Sequence, residues 1–250
     1  MEVKVGCCGF PLARRAYYAS FPLVEIQQTF YQPPRATTAA RWRAEAPPGF
    51  TFSLKAWQLI THEPSSPTYR RLGRPVPPAL RDRYGSFRPT DEVRAAWAAT
   101  VEVARALAAR LVVFQCPARF TPTDEHVAWL RRFFAGMARE GLVPAWEPRG
   151  GWPGDLVAGL CGELDLVHVV DPLRDEAVSR GMRYYRLHGV AGYRYRHTDD
   201  DLRAAARRLA PDAPNYVLFN NQFMADDAGR FQALIHKRHG PSPSGPRRRG

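Results

Sequence analysis

Eight short apolar runs punctuate the chain, at residues 3–8, 23–27, 50–55, 111–115, 143–147, 166–170, 183–187 and 216–220. Between most of them lie stretches with helical spacing, clearest over 92–110 and 123–140 and shorter over 199–209 and 224–236. Thr123 predicts a helix start and Gly141 a helix stop. Regular alternation of strand and helix predicts parallel β/α units. Eight such strands in about 240 residues predict a (β/α)8 TIM-like barrel of the α/β class. An open doubly wound sheet is the alternative, but no G-x-G-x-x-G follows the first run.

Within the barrel expectation, the period of two assigns faces. Alternate strand residues face the interior and the helix layer. In "FTFSLK" the apolar set Phe50, Phe52 and Leu54 suits the helix layer, so Thr51, Ser53 and Lys55 point inward. The same rule turns Leu23, Glu25 and Gln27 inward, groups Glu147 with Arg149, and groups Tyr184 with Arg186 and His188. These polar residues fall at or just past the C-terminal ends of their runs, the end at which barrels carry active sites. Glu25 raises the sharpest question, because a carboxylate inside an apolar strand is costly unless paired, hydrated or used. Lys55, Arg149 and Arg186 are the cations expected to compensate it, either as a structural ion network or as a functional pocket.

Composition narrows the classes. Of 250 residues, 45% are hydrophobic, enough for a packed core. No apolar run is long enough for a membrane span and the first residues lack a signal-peptide pattern, so a soluble cytoplasmic protein with no membrane partner is expected. Cys7, Cys8, Cys116 and Cys161 form no C-x-x-C pair and are too few for a disulfide scaffold, so small buried residues are expected. The net charge of +12 favours anionic partners. Five of those charges, Lys237, Arg238 and Arg247 to Arg249, lie in residues 237–250, expected to be a disordered basic tail after a single domain at 1–236.

Residues 56–89 exceed what a minimal barrel needs after its third strand. They carry Arg70, Arg71, Arg74, Arg81, Arg83 and Arg88, with Tyr69, Tyr84 and Phe87 interspersed. Long irregular loops are lids or solvated excursions, and basic groups among aromatics also suit a nucleic-acid strand. "YRYRH" at 193–197 is a shorter run of the same kind.

The blocks "VKVGCCGF", "VEIQQTFYQPP", "FTFSLKAWQLITH", "VVFQCPARF", "AWEPRGGW", "YYRLHG" and "VLFNNQF" stand in the order seen in the YecE-like family, domain of unknown function 72. The chain resembles that family from about Val3 to about Leu234. The resemblance implies a TIM-like barrel and supplies no established reaction. Its blocks fall on Glu25, Tyr31, Lys55, His62, Gln115, Glu147, Arg149, Arg186, His188, Asn220 and Asn221, among others. Cys7 and Cys8 stand where the family usually has Thr and Ser, Phe10 where it has Trp, Gln27 where it has Asn, and Pro148 where it often has Phe.

Glu25, Glu147 and His188 are the expected catalytic residues, the carboxylates as general acid–base groups. Lys55, Arg149 and Arg186 are expected to clamp an anion, and His62 and Tyr31 to border the ligand. Gln27, Gln115, Asn220 and Asn221 would supply orienting hydrogen bonds. No cofactor is expected. A divalent metal on Glu25, Glu147, Asp171, His62 and His188 is the alternative, because metal-dependent sugar isomerases and endonuclease-IV-type barrels place such ligands on strand ends. Three readings follow: an enzyme using acid–base or hydrolytic chemistry, phosphodiesterase-like, on a phosphorylated or other anionic substrate, nucleic acid included; a non-catalytic anion or nucleic-acid binding module; and a metal-dependent sugar isomerase-like enzyme. Oligomeric state is not legible.

Overall fold

In a computed structural model that describes residues 1–239, eight parallel strands close on themselves in chain order. They are β1 (Val3–Cys8), β2 (Leu23–Ile26), β3 (Thr51–Lys55), β4 (Leu111–Gln115), β5 (Val143–Glu147), β6 (Val167–Val170), β7 (Arg183–Leu187) and β8 (Asn215–Phe219). Closure is made by β1 against β8, with Val3 beside Asn215 and Cys7 beside Phe219. β1 approaches β2 so closely that a Cβ on Gly6 would lie 2.0 Å from the Leu23 carbonyl oxygen. The basic tail expected at 237–250 lies, but for its first residues, outside the described residues.

Local chemistry sets the helix starts. Thr90, Thr123 and Thr198 each accept a backbone N–H into their own helix, from Val93, His126 and Asp201. Asp201 returns the bond to the Thr198 N–H at 2.8 Å, a complete capping box. The helix expected over 123–140 is shorter, Asp124–Gly136. Its chain turns out at Met137, and Gly141, at φ +80°, shapes the turn into β5 instead of capping the helix. Among the described residues, helices join the other successive strands, but 171–182 between β6 and β7 holds none.

Two apolar layers result. The larger lies between strands and helices and holds Phe52, Leu54, Phe114, Trp146 and Phe219. The smaller fills the barrel with Leu23, Val113, Ala145, Val169, Tyr184 and Leu218. The period-two assignment therefore holds in β2, β3, β5 and β7. The insertion at 56–89 has more order than its sequence suggests: a helical turn at Gln58–Thr61 and two 3-10 turns at Pro67–Arg71 and Pro78–Arg83. It returns to the barrel through Phe87, fully buried against Phe114, Phe120 and Phe134. All four cysteines are buried and free.

Candidate active site at the barrel mouth

Inward parity on β2, β5 and β7 brings Glu25, Glu147 and Arg186 together at the top of the barrel interior. Arg186 is fully buried and donates to Glu25 Oε1 at 3.0 Å through Nη2 and to Glu147 Oε2 through Nη1. Tyr184 donates its hydroxyl to Glu25 Oε2 at 2.7 Å, and Ser53 Oγ lies 2.8 Å from that hydroxyl. Gln27, just beyond β2, donates to Glu25 Oε1. Gln115 accepts from Lys55 Nζ at 2.8 Å and donates to both Glu147 oxygens at 2.8 and 2.9 Å. Arg149 adds Nε to Glu147 Oε1 at 2.8 Å. Glu25 is thus satisfied on both oxygens within the protein.

Charge states follow from these contacts. Burial alone would push the Glu147 carboxyl up, but Arg186 and then Arg149 outweigh it and hold the group well below the usual range. Burial, reinforced by Arg186, pushes Lys55 down to about 7, with Glu25 and Glu147 opposing. Lys55 also lies 3.8 Å from the centre of the Phe30 ring, a cation–π contact. Burial and Arg186 push His188 down to about 3, so its imidazole is neutral at physiological pH. Its Nε2 lies 3.1 Å from Arg149 Nη2 and 3.3 Å from Arg186 Nη1. Guanidinium groups only donate, so Nε2 accepts and the ring proton sits on Nδ1, which faces Asp171 Oδ2 at 3.9 Å.

Above this network a cavity of about 540 Å³ opens over β5 to β8. Glu147, Arg149, His168, Asp171, Arg174, Asp175, His188, Tyr193 and Asn220 line it. It opens beside the β6–β7 segment that has no helix, with Asp171 as the first residue past β6. Asp171 accepts the His188 N–H and the Leu173 N–H, each at 3.1 Å, and no guanidinium among the described residues holds it.

The expected site residues therefore divide. Glu147, Arg149, His188 and Asn220 line the cavity, whereas Glu25, Lys55, Gln115 and Arg186 belong to the network that supports it. Arg186 is paired with two carboxylates and fully buried. Glu25 is likewise fully buried. His62 is buried, held at Nδ1 by Thr61 Oγ1 at 2.8 Å and edge-on to Phe30. Tyr31 lies under the Arg71 guanidinium, 3.4 Å from ring centre to carbon. Asn221 is buried away from the cavity, donating to Tyr195 O and Asp227 Oδ2, both at 2.7 Å. It pins the loop after β7 to the last helix. His168, Arg174 and Asp175 were not singled out by the sequence; their signal is position, on the strand and loop that carry Asp171.

A family model described as a protein of unknown function, DUF72, matches residues 12–248. The chain belongs to the DUF72 family. A crystal structure of a DUF72 protein from Enterococcus faecalis V583 is 19% identical, with a TM-score of 0.69 over 94% of this chain and 98% of that one. Farther off lies D-psicose 3-epimerase, crystallised in the presence of D-fructose: 10% identity, TM-score 0.55, 95% and 99% coverage. Endonuclease IV from Thermus thermophilus stands at 12% identity and TM-score 0.55, covering 95% and 100%. No curated protein matches the DUF72 chain. These likenesses establish the barrel, and fold alone does not carry activity. Among the described residues no helix is long and apolar enough to cross a membrane.

A divalent metal, as the isomerase alternative requires, does not fit the donor set. Glu25 and Glu147 both face Arg186, the His188 Nε2 lone pair is turned to two arginines, and no three His, Cys, Asp or Glu side chains converge among the described residues.

Proposed function

We propose that this DUF72 protein is an enzyme that moves protons on a small, hydroxyl-rich, anionic substrate of the sugar-phosphate or sugar-acid class. The observation that carries the reading is the mixed wall of the cavity: Glu147, Asp171 and Asp175 stand with Arg149 and Arg174 around about 540 Å³. Carboxylates accept from sugar hydroxyls, and guanidinium groups hold one phosphate or carboxylate. A polyanion filling the same cavity would face three carboxylates. Epimerases and endonuclease IV use the same barrel, which is compatible with this class and decides nothing within it.

Roles follow from the contacts. Arg149 and Arg174 receive the anionic end. Glu147, held ionised, is a weak base and acts as the fixed counter-charge that orients Arg149. Asp171 faces the cavity with no guanidinium contact among the described residues and takes the general-base role that the sequence alone gives to Glu147 and Glu25. His188 presents a neutral imidazole beside it.

Calorimetric titration with sugar phosphates and sugar acids, with inorganic phosphate alongside, tests the reading. Arg149→Ala and Arg174→Ala should each weaken binding by about 1.5–3 kcal/mol, the worth of a charged hydrogen bond. Asp171→Asn should lower turnover roughly 100-fold or more while binding persists. Binding without turnover in the unaltered protein would select the binding-module reading.

A nucleic-acid partner is a second reading, supported by exposed Arg70, Arg71 and Arg74 on the insertion, where Arg71 stacks on Tyr31. Two other arginines of that run are spent, Arg83 on Glu92 and Arg88 on Glu63. A short single-stranded oligonucleotide in the same titration, across salt concentrations, measures it.

A further inference from the structure

We propose that the Arg186 guanidinium is the resident cation of this barrel mouth, bridging Glu25 and Glu147 beside His188, so that the site works without a divalent metal. The inference rests on the acid–base reading above only for its catalytic consequence; the cation itself is a matter of geometry.

Three observations support it. The acceptors around Arg186 are spaced for a guanidinium: Glu25 Oε1 at 3.0 Å from Nη2, Glu147 Oε2 on Nη1, and His188 Nε2 at 3.3 Å from Nη1. Zinc draws such oxygens and nitrogens to about 2.0–2.2 Å around a single point, whereas here they are set back around a planar group several atoms wide. Second, other donors already occupy the carboxylate oxygens: Tyr184 and Gln27 take Glu25, and Gln115 and Arg149 take Glu147. Third, both carboxylates already have guanidinium partners. Glu25 and Glu147 are matched by Arg186 and Arg149, with Lys55 beside them at Gln115. A doubly charged ion would sit beside two fixed guanidinium charges.

The arrangement has a chemical consequence. A guanidinium polarises a neighbouring oxygen through directed N–H donors and cannot exchange with solvent ions or leave under chelation. It also fixes the orientation of Glu147, and through it Arg149, at the cavity floor. The positive charge at the mouth is therefore covalent and permanent.

The test uses the full chain. Manganese and zinc titrations by calorimetry, with metal analysis after dialysis, should show no stoichiometric ion on the unaltered protein, and EDTA should leave its melting temperature unchanged. One bound equivalent that is lost in Glu147→Gln would overturn the proposal. Arg186→Met keeps length and removes charge; its melting temperature should rise by several degrees with manganese, a response absent from the unaltered protein. A folded Arg186→Met indifferent to manganese would also overturn it. Should that variant not fold, the unaltered protein alone decides. A wild type that holds a metal yet still takes sugar phosphates through Arg149 and Arg174 would sink this inference and leave the proposed function standing.

Discussion

Arg186 and Glu25 meet 3.0 Å apart inside the barrel, and neither side chain touches solvent. Burying two charges costs several kcal/mol per ion, and pairing repays it only while both partners remain. Glu25→Gln should therefore destabilise the fold by about 3–5 kcal/mol, leaving Arg186 with one carboxylate. Tyr184→Phe removes the donor at 2.7 Å from Glu25, together with the Ser53 contact at 2.8 Å, and should cost about 1.5–3 kcal/mol. Urea unfolding of both singles and the double measures the coupling; additive losses would show that the two groups do not act through one carboxylate.

Acid should destabilise the protein early. His62 and His188 are pushed down to about 3 and His168 to about 4, all first by burial, from an ordinary value of 6.5. The unfolded chain thus takes up protons below pH 6.5 that the folded chain refuses, so stability is lost as pH falls from 6.5 toward 3. Every tenfold loss of proton affinity on folding is worth about 1.4 kcal/mol. His168→Gln, which can still accept the Val178 N–H made at 3.3 Å, should flatten the slope of unfolding free energy between pH 6.5 and 4.

Lys55 gives the opposite limb. Its folded value near 7 lies below the ordinary 10.5, so the unfolded chain holds more protons between these limits. Stability from this group rises with pH from about 7 upward. Lys55→Met should remove that rise, measured by urea midpoints at about pH 7 and about pH 9.5, both inside that window. An unchanged slope would mean Lys55 stays fully charged against Gln115.

The insertion depends on Gly85. Its φ of +81° suits glycine, and an added Cβ would lie 2.4 Å from the His62 carbonyl oxygen. Gly85→Ala should cost more than about 1 kcal/mol and expose residues 63–84 to protease, since the close return of the chain is lost. Protease resistance equal to the unaltered protein would show that the insertion docks without this approach.

Strand positions and inward faces were readable because the barrel imposes a period of two, and polar exceptions such as Glu25, Lys55 and Arg186 stand out against it. What parity could not give is depth. Arg149 and Arg186 lie on the same inward side, yet one reaches the cavity and the other ends between two carboxylates below it. Sequence likewise could not show that Asn221 serves Asp227 and Tyr195, since that depends on how the last helix packs. Asp171 sat in plain view as the residue after β6, but the missing helix that opens the cavity beside it is a tertiary fact.

The seam between β1 and β8 joins Val3 to Asn215. A ribosome builds these partners at opposite ends of its task. Glu25 leaves the exit tunnel long before Arg186 exists, and until β8 follows, the nascent carboxylates keep their water. Any chain cut short of Asn215 lacks the seam, and with it the enclosure that makes Arg186 and Glu25 a pair. Premature release thus yields not a weakened site but none at all.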